Sequence, residues 1–290
     1  MLPSTTVAVA EHLAALLPDD FSRTVLNGSL RALLDDNNPI RVNLLALGIR
    51  EMVRHVLEVK APDEAIRSCV WFKEAMQKKV AKMPLKEAKA ADVVTRKDRM
   101  VYATQGGLRD ETLSELNIDV EGMHSELIST VKMLSKHVHI EELNMLPPAS
   151  SPAVLAEEVI AAVTEFLESI ARFRSEVGDA VSEAVQTEAL DTFLRETVDS
   201  LDELSSHTQV EDVEVAVVDV IGIGPSEVSI EASGTVYVEL VYGSSSDERR
   251  GDGARMSAKY PFRILLTAST ENLANLESGS AYVNTDSFYK

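Results

Sequence analysis

A single cysteine, Cys69, is all the thiol chemistry in this 290-residue chain. It excludes an internal disulfide and any zinc site built from several cysteines. Long apolar runs are missing too. Stretches such as VLAEEVIAAV are interrupted by charges well before the roughly 20 residues a membrane span requires. The amino-terminal MLPSTTVAVAEHLAALL has no basic leading segment, and Glu11 and His12 break its apolar stretch, so no secretory signal is expected. Gly222-Ile-Gly224 and Gly106-Gly107 lack the strand–turn–helix setting of a dinucleotide or phosphate loop. No Ser-His-Asp or Cys-His set can be assembled. These absences lead to the expectation of a chain in a reducing cytoplasm, with no membrane, no cofactor and no metal.

Positive charge is scarce and uneven. The net charge is −19, yet residues 1–110 hold 17 Lys and Arg against 14 Asp and Glu, whereas residues 111–290 hold 11 against 33. Within 73–99 there are 9 basic and 4 acidic residues. Charges further apart than about 8 Å are largely screened at physiological salt, so local sign governs what binds. An anionic partner therefore suits the amino-terminal half, where Lys78, Lys79, Lys82, Arg96, Lys97 and Arg99 are candidate nucleic-acid contacts. The plainer alternative is a solvated basic surface.

Apolar residues recur at helical spacing through most of the chain. Val9, Leu13, Leu16 and Leu17 form one stripe, stopped by Pro18. Phe21, Val25, Leu26, Leu30, Leu33 and Leu34 form a second, ended by the turn-prone DDNNP. Pro39 suits the start of a helix running to about Lys60, with Val42, Leu45, Ile49, Met52, Val53 and Val56 on one face. Leu44 and Leu47 lie opposite, which predicts burial on both sides of its first half. Pro62 opens a further helix, APDEAIRSCVWFKEAMQKKV, with Asp63 and Glu64 in its first turn. Residues 81–94 read as a connector. Thr95 with Asp98 resembles a capping box for a short helix ending at Gly106-Gly107. A short helix over 110–117 follows, and then a longer one over about 119–138.

The loop EELNMLPPASSP is the natural boundary, dividing a helical domain at 1–148 from a second domain at 149–290. Leu155, Val159, Val163, Phe166, Ile170, Phe173 and Val177 then keep a clear helical period, which resumes after Gly178. A helical hairpin turning at Gly178 and one long bent helix both fit. Beyond residue 205 the period changes to two. Val213, Val215 and Val217 form one apolar set; Val228, Ile230, Ala232, Val236, Val238, Leu240 and Tyr242 form another, with Gly234 at the break. Tyr260, Phe262, Ile264 and Leu266 make a third. Such strands belong to an antiparallel sheet covered on one side, here by the amphipathic helices of 152–204. The last 20 residues either add an edge strand or trail. The fold class is therefore α+β: a helical amino-terminal region, a long helical hairpin or helix, and a small antiparallel sheet at the carboxyl end.

Three clusters can carry chemistry. Arg50, Arg54 and His55 fit the R-x4-H spacing and resemble the HEPN ribonucleases. In those enzymes an arginine and a histidine meet across a helical dimer interface and cut RNA without metal. Histidine moves a 2′-hydroxyl proton near neutral pH, and arginine steadies the charged phosphorane. Arg50 and Arg54 share a side of their helix, while His55 lies about 140° from Arg50. The alternative is the polar flank of a buried helix. The second cluster, His137, His139, Glu141 and Glu142, is a catalytic, nucleic-acid or metal surface, or simply histidines favoured at a helix carboxyl end. The third is the turn GSSSDERRGDG, whose Arg249 and Arg250 are candidate partner contacts. A restriction-type metal nuclease needs Glu-x-Lys beside an acidic residue. The only such triplets, Glu58-Val-Lys60 and Glu87-Ala-Lys89, lie outside the sheet region.

Taken in order, NPIRVNLLALGIREMVRHVLEVKAPDEAIRSCVWF, TRKDRMVYATQGGL, MLSKHVHIEE and VYVELVYGSSSDERRGDGARMSAKYPF resemble bacterial predicted pPIWI-associating nucleases, over most of residues 20–268. That resemblance implies a defence- or conflict-associated protein acting on RNA or single-stranded nucleic acid, as a homodimer or with a defence-complex protein. A non-catalytic adaptor is the competing expectation.

Overall fold

The computed structural model describes residues 4–81, 93–118, 120, 125–138, 152–195, 199–205, 207–243, 250 and 253–289. The expected domain boundary at 148/149 lies outside them, as do Lys82, His139, Glu141, Glu142 and Arg249. By compactness the chain divides into two units, one made of residues 1–106 with 119–173 and the other of 107–118 with 174–290.

The first unit is helical. It contains α1 (Ser4–Leu16), α2 (Asp20–Leu33), α3 (Arg41–Lys60), α4 (Asp63–Ser68), α5 (Val70–Val80), α6 (Arg96–Gln105), α8 (Ser125–Val138) and the first half of α9 (Pro152–Arg195). The second unit holds α7 (Asp110–Glu115), the rest of α9 and α10 (Asp199–Asp202).

Helix α3 is the hub of the first unit and packs on α2, α6 and α8. Its buried residues include Val42, Leu45, Ala46, Ile49, Met52, Val53, Val56 and Leu57, so the apolar stripe read from the sequence does face the core. Removing each such large side chain from water contributes roughly 1.5–3 kcal/mol. The second buried face is not formed. Leu44 is half-buried and Leu47 is 44% exposed. On α2 the inward face carries Ser22, Leu26, Ser29, Leu30 and Leu33. Phe21, expected in that stripe, sits one helical step of about 100° from Ser22 and is 58% exposed.

The helix expected over 62–80 is broken at Cys69, whose backbone is extended (φ −64°, ψ 141°). Its N–H bonds the Ile66 carbonyl at 3.0 Å, closing α4. α5 then starts afresh, with Phe72 buried and the Trp71 Nε1–H donating to the Gly106 carbonyl at 2.9 Å. The Thr95–Asp98 capping box forms as expected, and α6 ends at Gly106 with φ 57°.

In place of a hairpin, α9 is one helix of 44 residues. Gly178 does not turn the chain. A Cβ there would lie 3.1 Å from the Val218 carbonyl oxygen, so the glycine serves a close approach to the sheet. The sheet has four antiparallel strands in the order β1 (His207–Ile223), β2 (Glu227–Tyr242), β3 (Ala254–Ser269) and β4 (Asn272–Val283). Its core face is made by Val228, Ile230, Ala232, Val236, Val238 and Leu240 of β2 and Tyr260, Phe262, Ile264 and Leu266 of β3. The helix covers that face, with the Phe193 ring 5.0 Å from Phe262 in an edge-on contact. The polar carboxyl-terminal stretch does supply the fourth strand, at one edge.

Strand β1 departs from simple alternation. Register shifts lie between Val210 and Asp212, Val215 and Val217, and Val220 and Gly222. Each inserted residue flips the side-chain phase. Val213 is buried, while Val217, expected to share its face, is 48% exposed, and Val220 returns to the core. Gln186 of α9 ties down the irregular stretch: its side chain donates to the Val213 carbonyl at 2.6 Å and accepts from the Val215 N–H at 2.9 Å.

Candidate functional site

The first unit places a histidine–carboxylate pair where α2 meets α3. Asp19 is the cap of α2, with an extended backbone (φ −150°, ψ 169°) and a carboxylate that accepts from the Ser22 N–H at 2.8 Å. Its other oxygen lies 2.7 Å from Nε2 of His55 on α3. An ionised carboxylate only accepts, so Nε2 carries the hydrogen. The second ring nitrogen, Nδ1, has no hydrogen-bond partner among the described residues. The exposed Phe21 meets the His55 ring edge-on, with centroids 4.7 Å apart. The Ser22 hydroxyl, then the Ser22 N–H, then His55 hold the Asp19 carboxyl well below the usual carboxylate range. The pair is accessible, since the His55 side chain is 27% exposed and that of Asp19 36%.

Arg54 is occupied. It pairs with Glu51 at 2.8 Å and Glu58 at 2.7 Å, one turn to each side. These bonds, Glu51 first, raise its pKa further above the ordinary guanidinium value. Among the described residues Arg50 makes no ion pair, and its Nε is buried without a hydrogen-bond partner. Its electrostatic neighbour is Arg96, at the start of α6. Burial, and after it the Arg50 charge, press the Arg96 pKa below its ordinary value, with Glu51 opposing. Arg99, one turn along α6, donates to the Ala61 carbonyl at 2.6 Å and pairs with Asp63, which fixes α6 against the start of α4.

The remaining expected residues are less concentrated. Lys78 and Lys79 are exposed in the last turn of α5, and Lys97 is exposed on α6. His137 lies in the last turn of α8. Arg250 is exposed beside the second unit's β2–β3 connection. The structure brings Asp19 together with His55 and leaves Arg54 with its acidic helix neighbours, while Arg50 and Arg96 stand on the packed helices α3 and α6. A second histidine–carboxylate pair, His12 Nε2 to Glu168 at 2.7 Å, joins α1 to α9. Neither Asp19 nor Glu168 stood out in the sequence. They lie 36 and 156 residues from their histidines, and only folding pairs them.

Among the described residues, no group of three or more His, Cys, Asp or Glu is placed to hold a metal ion. No described helix is long and apolar enough to cross a membrane.

Comparison with known families gives two matches of the same description. A family model for a predicted pPIWI-associating nuclease matches residues 14–163, and a second matches residues 170–289. The chain belongs to the predicted pPIWI-associating nucleases. The two matched segments of this family member meet inside α9, close to where the compact units divide. The Asp19–His55 pair, Arg50 and Arg96 all fall within the first match. No curated protein and no solved structure matches the chain.

Proposed function

We propose that this family member acts on single-stranded RNA in a bacterial defence or conflict system, as a ribonuclease that needs no metal and uses His55 as its base. The observation that carries the reading is the 2.7 Å contact between Asp19 and His55. A carboxylate that fixes the tautomer and orientation of an imidazole is the arrangement of an activated general base. Here it leaves Nδ1 for the substrate. Nδ1 would take the proton from a ribose 2′-hydroxyl while that oxygen attacks the neighbouring phosphorus. The bond from phosphorus to the 5′ oxygen breaks, and the imidazolium returns its proton, directly or through water, to that departing oxygen. The products are a 2′,3′-cyclic phosphate and a 5′-hydroxyl. Arg50, one and a half turns before His55, belongs to the same helix and supplies cationic character. Nuclease family membership and the excess of basic over acidic residues in 1–110 support the same reading.

The test is incubation of the purified chain with end-labelled single-stranded RNA, with and without EDTA, beside His55→Ala, His137→Ala and His12→Ala. Cleavage by the wild type in EDTA, lost in His55→Ala and kept in His12→Ala, is expected. General-base contributions are typically 10²–10⁴-fold, so the loss is read easily. Intact RNA in every lane, with no binding, leaves the adaptor reading standing in its place.

A further inference from the structure

Apolar side chains exposed singly are ordinary on a protein surface, so exposure alone assigns nothing. Phe21 differs in what it touches. Phe72, Phe166, Phe173, Phe193 and Phe262 are buried and Phe288 is half-buried, whereas Phe21 is 58% exposed. Its ring meets the imidazole of His55 at 4.7 Å between centroids, with the planes 68° apart. Even with that contact made, more than half of the residue stays open to water.

The turn that places the Asp19 carboxylate on His55 also fixes Phe21. Asp19 accepts from the Ser22 N–H at 2.8 Å through its side chain and from the Arg23 N–H at 3.3 Å through its carbonyl. Phe21 lies between these anchors, directly before Ser22. An aromatic residue on a fixed backbone has only two torsions left to order when a ligand arrives. The carboxylates beside it are engaged, Asp19 with Ser22 and His55, and Asp20 with Arg23 at 2.8 Å.

A ribose carries its base and its 2′-hydroxyl on adjacent carbons. When that hydroxyl comes within hydrogen-bond reach of His55 Nδ1, about 2.6–3.2 Å, the base of the same nucleotide is brought beside Phe21. Proteins hold single strands by stacking bases on such rings, and the hold tolerates sequence because every base has a π-face.

We propose that Phe21 is the stacking platform for the base of the nucleotide whose 2′-hydroxyl His55 deprotonates. The inference rests on the ribonuclease reading above and adds the group that seats the substrate. Phe21 moves no proton; it binds the base and so places the sugar.

The experiment uses the full chain in EDTA. The probe is a 5′-fluorescein strand of 12 units, all abasic and 2′-O-methylated except one central adenosine. The control strand lacks the adenine but keeps that single 2′-hydroxyl. Wild type, Phe21→Leu, Phe21→Trp and Tyr282→Leu are compared; the last removes a ring of the second unit that is 63% exposed. All four should melt alike, as surface variants do. Adenine is expected to raise the affinity of wild type, read by anisotropy, about tenfold. That gain should vanish in Phe21→Leu and persist in Phe21→Trp and Tyr282→Leu. The cleavage rate at low protein concentration should follow the same pattern. An equal adenine gain in wild type and Phe21→Leu overturns the platform, and so does a gain lost equally in Tyr282→Leu. Slower cleavage by Phe21→Leu with its adenine gain intact also overturns it, since the ring would then act only by placing His55. Cleavage without any adenine gain overturns the platform and leaves the ribonuclease reading standing. A Phe21-dependent gain without cleavage supports the platform and removes only the nuclease reading.

Discussion

Asp19 has two tasks, and they can be separated. As a helix cap it accepts from the Ser22 N–H, and as an orienting group it accepts from His55. Asparagine can still cap through its carbonyl oxygen but meets the imidazole without a charge. Asp19→Asn should therefore keep the fold and lose about tenfold or more in cleavage rate, whereas Asp19→Ala should lose cleavage and also melt earlier. The carboxyl is held below its ordinary range in the folded protein. Its contribution to stability is thus present above the unfolded value near 3.8 and fades as pH falls below it. Melting curves between pH 5 and 2.5 should show a steeper loss for wild type than for Asp19→Asn; equal slopes would contradict the pairing. Cys69 makes a simpler case. Burial pushes its thiol up to about 12, and the sulfur lies 3.4 Å from the Ala65 carbonyl oxygen. Iodoacetamide at pH 8.5 should leave it unmodified in the native protein and label it in denaturant, because the thiolate is the reactive form. That residue's inertness could be read from its apolar neighbours Val70 and Trp71. The Asp19 partnership could not, because no local pattern links positions 36 residues apart.

At the scale of elements, periodicity revealed what faces the core, and close approaches decided the exceptions. The alternation in β2 and β3 is kept over long stretches, so their inward residues were legible. In β1 an extra residue between Val215 and Val217 reverses the pattern, and a run of valines gives no sign of where it sits. Val213→Asp should cost about 3 kcal/mol or more, as an unpaired carboxylate in a core. Val217→Asp should stay within about 0.5 kcal/mol of wild type. Urea unfolding measures both, and equal costs would mean that the bulge is misplaced. Gly234 faces this irregular stretch, and a Cβ there would fall 1.9 Å from the Glu214 carbonyl oxygen. Backbone cannot yield as a side-chain tip does. Gly234→Ala is expected to destabilise by about 1–3 kcal/mol in the same assay. The hairpin alternative at Gly178 failed for a related reason: a glycine in a helical period marks a tight contact as readily as a turn. The break at Cys69 had no signal at all, since the helical pattern runs straight through it.

Across the whole molecule the outstanding property is charge that changes sign along the chain, from an excess of three basic residues in 1–110 to an excess of 22 acidic residues in 111–290. This was plain in the sequence, as was the passage from helices to sheet. Less plain was which cations are free to act. Of the basic residues in 1–110, Arg54 and Arg99 are spent on carboxylates, whereas Arg50 and Arg96 are partly buried and make no ion pair among the described residues. If RNA is held through basic side chains of this half, its affinity must fall with salt by a slope of about 0.7 per phosphate neutralised. Cleavage of this kind requires the ribose hydroxyl as nucleophile and His55 as its base. The direct measurement is single-turnover cleavage, in EDTA, of a 12-mer RNA and of the same strand with every 2′ oxygen methylated. The expected result is a cut RNA ending in a 2′,3′-cyclic phosphate, an intact methylated strand, and no product with His55→Ala. Cleavage of the methylated strand, or equal cleavage by wild type and His55→Ala, would contradict it.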